Sequence, residues 1–79
     1  MDRWLILAHL KMAVRHLAES RKHVARQRAL VIYLQQEGHD TTAAETLLEE
    51  FEISLHLHEQ GMIQIKAELA AHDASNGRK

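Results

Sequence analysis

Seven histidines in 79 residues are the side chains of this chain best suited to chemistry: His9, His16, His23, His39, His56, His58 and His72. An imidazole can bind a metal, move a proton, or change charge near neutral pH. The most specific of these readings is a metal site built by His16, His23 and His58 in the core of a helical bundle, where ligands converge from facing helices. Spacing argues against it. His16 and His23 are seven residues apart, ~10 Å along a helix, too far to share one ion through bonds of ~2.1 Å. His56 and His58 point to different sides of any helix they share, and the first half of the chain lacks the Glu-x-x-His pair of a di-iron bundle. A second copy that brought His23 and His58 of both chains together would relax the distance limit. His16, His23 and His58 therefore stand as minor metal candidates, and no cofactor is expected.

Two plainer roles remain for these rings. They can sit half-buried at the edge of a helical seam, hydrogen-bonded to Ser20, Gln27 or water. They can also form a neutral layer whose protonation between neutral pH and about pH 5 loosens an assembly. Catalysis has little to work with. There is no cysteine nucleophile, no glycine-rich phosphate loop, and no histidine, carboxylate and serine set that two helices could close into a pocket. An enzyme is not expected.

Charge divides by halves. Residues 1–37 carry seven Lys/Arg against three Asp/Glu, a balance of +4, and residues 38–79 carry three against eight, a balance of −5. A basic helix beside an acidic one explains this division, each exposed pair contributing ~0.2–1 kcal/mol. Arg15, Arg21, Lys22, Arg26 and Arg28 are close in sequence but spread around the helix. Only Trp4, Tyr33 and Phe51 are aromatic, so no base-stacking platform accompanies the positive charge and no nucleic-acid partner is expected.

The positioning elements follow from one short stretch, Glu37-Gly38-His39-Asp40-Thr41-Thr42. Gly38 suits the left-handed conformation just past a helix C-terminus. Asp40, Thr41 and Thr42 offer oxygens to the unpaired N–H groups of a following helix, and Thr42 with Glu45 has capping-box spacing, with Asp40 a rival cap. A turn this short makes its two helices antiparallel neighbours. With no proline to interrupt it, the chain reads as an all-α hairpin over residues 1–72: helix 1 about 3–37, turn 38–41 and helix 2 about 42–71. Small and polar residues from 73 to 79 are expected to form a disordered tail.

Both helices show a seven-residue, coiled-coil-like repeat. In the first, Leu10, Leu17, Val24 and Val31 alternate with Ala13, Ser20, Gln27 and Leu34, flanked by His9, His16, His23 and Leu30. Ser20 and Gln27 are polar on a seam that packing would make aliphatic; such residues set register at a cost in stability. In the second, Ala44, Leu48, Phe51, Leu55, His58, Met62, Ile65 and Leu69 step by four and three. If pairing positions add to about 80, His58 faces the Ser20 to His23 region. Gly61 lies inside this helix and suits close approach of a neighbouring backbone.

Apolar residues remain that one partner helix cannot cover: Leu47, Ile53, Leu57 and Ile63, with Trp4 at the start. Together with Gly61 they are the expected interface. Two helices make half a core, and below ~80 residues one core seldom supplies more than ~3–5 kcal/mol. The leftover surface predicts a homodimer, most simply two hairpins in a four-helix bundle, serving as a non-enzymatic protein-interaction module, a regulator or adaptor. A histidine-based metal or ligand carrier in the bundle core is the alternative. Trp4 to Leu7 is too short for a secretory core of ~7–15 apolar residues or a bilayer span of ~18, so a cytoplasmic protein without a transmembrane segment is expected. Peripheral membrane contact through Trp4 to Leu7 is a third possibility.

Arg26-Gln27-Arg28, Gly38-His39-Asp40-Thr41, Ala44, Leu47-Leu48, Phe51-Glu52, Ser54-Leu55 and His58 together resemble a group of short helical-hairpin proteins of alphaproteobacteria, rhizobia and their relatives especially. The Gly-His-Asp-Thr turn followed by the leucine pair is the most specific part, and the likeness covers roughly half the chain. It implies a bacterial origin and a helical hairpin, and no activity. Trp4 to Leu7 lies outside it.

Overall fold

The computed structural model describes residues 2–76. Two helices, α1 (Arg3–Gln36) and α2 (Thr42–Asn76), pack against each other along their lengths as an antiparallel hairpin. The molecule is a rod of 66 × 14 × 14 Å. Asp2 caps α1 by accepting the Leu5 N–H at 3.2 Å. Its side chain thereby satisfies one of the first unpaired donors of the helix.

The turn is built by glycine. Gly38 has φ +74°, which a side chain would make costly. His39 N–H donates to the Leu34 carbonyl at 2.9 Å and Gly38 N–H to the Gln35 carbonyl at 3.2 Å, the paired bonds of a Schellman ending. The expected capping box of Thr42 with Glu45 does not form. Asp40 instead accepts both the Thr42 N–H (3.0 Å) and the Thr42 hydroxyl (2.7 Å). Thr41 is the residue before the helix: its carbonyl takes the Glu45 N–H at 2.8 Å, and its hydroxyl reaches the Glu45 carboxylate at 3.1 Å. Thr41, rather than Asp40 or Thr42, takes the cap position, and the short Asp40 side chain closes a turn over it onto Thr42.

The α1 seam is the expected one, extended by one member. Ile6, Leu17, Val24 and Val31 are buried, with Gln27 among them. Ile6, 3% exposed, belongs to the line of Ala13, Ser20, Gln27 and Leu34, seven residues before Ala13. The apolar opening is therefore split: Ile6 enters the core, while Trp4 is 83% exposed. The α2 seam residues from Ala44 to Leu69 are all half-buried, and α2 buries no residue.

Helix α2 continues to Asn76, so the expected tail does not begin at residue 73. Two contacts hold the added turn: Arg3 Nε donates to Asp73 Oδ1 at 2.9 Å, and the Asn76 side-chain amide lies 3.2 Å from His72 Nδ1. Ala70, Ala71 and Ala74 favour helix besides. The remainder of the expected tail, residues 77–79, lies outside the described residues.

Candidate functional site: the histidine-lined side of the hairpin

Residues seven apart on these helices keep one orientation to the seam, so each side of the hairpin can be read as lines of side chains. On one side run His9, His16, His23 and Leu30 of α1, facing Leu47, Ser54 and Gly61 of α2. Two shallow depressions lie here, of about 370 and 290 Å³. His16, Glu19, Ser20, His23, Phe51, Ser54 and His58 line the first. Met12, Ala13, Leu57 and Gly61 line the second, which shares His16 and His58 with it. Small side chains make the floor, and imidazoles, apolar groups and the Glu19 carboxylate make the walls.

The imidazoles pair differently from the expected register. The His58 ring meets His16, centroids 5.7 Å apart, and the His23 ring stacks on Phe51 at 5.5 Å. His58 is thus level with His16 and Leu17, about one turn from the Ser20 to His23 region expected. The reason is the turn: the chain leaves α1 at Gly38 and comes back down, so Thr42 is level with the last turn of α1 and not with its end. Neither His16 nor His23 is buried in the hairpin, so within one chain they form no buried layer. The three metal candidates do not converge, since His23 is taken up by Phe51. Among the described residues no three His, Asp or Glu side chains gather as a metal site would require.

Gln27, expected to bond a seam histidine, instead donates its Nε2 to the Ala44 carbonyl at 2.9 Å. A Cβ added at Gly61 would meet nothing within 4 Å, so no neighbouring backbone of the hairpin approaches it and the close approach expected there does not occur within the chain.

The opposite side carries charge. Arg28 Nη2 donates to Glu52 Oε2 at 3.1 Å, with Arg21 one heptad before Arg28 and Glu45 and Glu59 one heptad either side of Glu52. At the open end, the hydrogen bond from Arg3 holds the Asp73 carboxyl below its ordinary pKa and raises that of Arg3. At the turn, the Thr42 N–H and hydroxyl lower that of Asp40.

The six expected interface residues do not form one patch. Leu57 and Gly61 line the second depression, and Leu47 lies on the Gly61 line. Ile53, 62% exposed, occupies the outer surface of α2 away from α1. Ile63 and Trp4 are exposed on the charged side. The sequence reading missed Met12, which the pattern of seven places beside His9 and His16 and which is 56% exposed. Of the described residues, no helix is long and apolar enough to cross a membrane. Compared with protein-family models, curated proteins and solved structures, the chain matches none.

Proposed function

We propose that this protein is a non-enzymatic interaction module: a helical hairpin that associates with a second copy of itself and presents the resulting helical surface to other proteins as a regulator or adaptor. The observation that carries this reading is the state of α2, a helix of 35 residues in which no residue is buried. A helix with a long apolar seam ordinarily gains most of its stability by burying it. The surface area agrees. A compact monomer of 9.1 kDa is expected to expose about 4,900 Å², whereas this chain exposes 6103 Å². The excess of about 1,200 Å² exceeds the ~800 Å² that each partner gives up in a standard interface.

The test is sedimentation equilibrium on the purified chain at micromolar concentration, with affinity capture from a bacterial lysate alongside. A mass of twice 9.1 kDa is expected; a stable single chain would overturn the proposal. A bacterial origin and membership of the alphaproteobacterial hairpin group belong to the same proposal, supported by the Gly38-His39-Asp40-Thr41 turn and Leu47-Leu48 following it.

A second reading, a metal carrier, is favoured by one observation. The His16 and His58 rings, 5.7 Å apart, are near enough for both to reach one ion, leaving further ligands to come from a second copy. Metal analysis of untagged protein tests it: less than one bound ion per two chains rules it out.

A further inference from the structure

We infer that the second copy packs on the histidine-lined side, with both turns at the same end, so that α1 of one copy lies along α2 of the other. The inference rests on the self-association proposed above and names its face and its direction. The face follows from what each side exposes. The charged side is occupied by Arg28 with Glu52 and their flanking ions, which a dry interface would have to strip of water at a cost. The histidine-lined side exposes Met12 and Leu57 over a floor of Ala13, Ser20, Ser54 and Gly61, and of Asp, Glu, Lys and Arg only Glu19 lines either depression. Small residues there leave room for an entering side chain, and imidazoles are desolvated at far lower cost than full charges. The open space around Gly61 acquires a use in this arrangement. A face of 66 × 14 Å also matches the ~800 Å² per partner that a standard interface needs.

Direction follows from charge. Two-fold symmetry allows two ways to bring these faces together. With turns at opposite ends, α1 lies antiparallel to α1 and α2 to α2. With the two-fold axis near the middle of α1 (Arg3–Gln36), the outer flanks of the two basic helices then bring Arg15 of one copy about level with Lys22 of the other. With turns at the same end, rotation about the long axis preserves every level. The ring pairs place Phe51 level with His23 and Val24, so Glu50 of one copy comes level with Lys22 and Arg26 of the other. Among the described residues neither Glu50, Arg15, Lys22 nor Arg26 has an ion-pair partner in the hairpin. The balance of +4 on residues 1–37 and −5 on residues 38–79 favours this second arrangement and opposes the first, because like charges across a contact are repelled.

The chain has no cysteine, so one introduced thiol gives a clean label. Spin labels on His39→Cys, at the turn, are expected to lie within about 30 Å of each other across a bundle of helices spaced ~10 Å apart. A distance near the 66 Å length of the hairpin would overturn the direction. Leu57→Lys is expected to weaken dimerisation about tenfold or more, and Ile53→Lys to leave it within about twofold. The reverse ranking would overturn the face. Both side chains are exposed in the hairpin and gain the same charge, so Ile53→Lys controls for folding, and helicity lost by Leu57→Lys alone and regained at higher concentration is lost pairing. A wild-type chain that stays single removes the self-association reading itself, a result distinct from either of the others.

Discussion

Gln27 lies on the seam between Val24 and Val31, 8% exposed, and gives its Nε2 proton to the Ala44 carbonyl. That carbonyl belongs to the first turn of α2, so the bond ties the interior of one helix to the start of the other. A slip of one heptad would leave a buried amide without a partner, which costs about 1–3 kcal/mol. Gln27→Ala removes the donor and leaves Ala44 its helical bond. We expect a loss of about 1–2 kcal/mol in urea unfolding, and an unchanged midpoint would show that the bond contributes nothing. Gly61 gives the opposite sign. Its Cβ position is open, so Gly61→Ala should stabilise the hairpin by about 0.8–1 kcal/mol through helix propensity. Destabilisation at concentrations where the chain pairs would mean that the second copy fills this space. Polarity on a periodic seam exposes Gln27 as exceptional in the sequence alone. Its acceptor does not appear there, because a bond across 17 residues depends on the register.

The helices divide into what local rules decide and what they leave open. Gly38 at the turn and both seams were legible, because left-handed backbone and seven-residue burial each act through residue type and spacing. The level of α2 against α1 was not, since it depends on how far the chain descends after Gly38, and that shift moved His58 from Ser20 to His16. The end of α2 was missed for a similar reason. His72 to Asn76 looks like tail by composition, but Arg3 stands across the open end and holds Asp73. This contact has a pH signature. The Asp73 carboxyl is held below its usual value by the Arg3 hydrogen bond, and Asp40 by Thr42. A carboxylate depressed in the folded state adds stability that is present above its unfolded value, near 3.8, and lost as pH falls through the folded one. The protection of the amides of residues 72–76, measured against the intrinsic exchange rate at each pH, should therefore fall below about pH 4. Asp73→Asn should show lower protection at pH 7 and lose less of it on acidification. Equal acid response in both chains would assign the fraying to other groups.

At the scale of the whole molecule, the radius of gyration of 18.1 Å is well above the ~12 Å expected of a compact domain this long. A rod has few interior positions, and among the described residues no large side chain is fully buried. The seam offers four buried aliphatic residues, Ile6, Leu17, Val24 and Val31, against the conformational entropy of two helices of more than thirty residues each. Each ordered residue costs about 1–2 kcal/mol, and a two-helix seam lies at the lower limit of what can offset that. If pairing completes the core, folding and association are one event, and stability then depends on concentration. The chain melted at 2 μM and at 200 μM distinguishes the cases, as both concentrations bracket the range of ordinary homodimers. We expect the midpoint to rise by roughly 5–11 °C over this hundredfold range, since mass action stabilises the paired state by about 2.7 kcal/mol and each kcal/mol moves a cooperative unit the size of two such chains by roughly 2–4 °C. A cooperative transition at one temperature in both samples would mean that the hairpin is complete by itself. Met12 and Leu57 would then be ordinary surface, and the histidine-lined side would need another occupant.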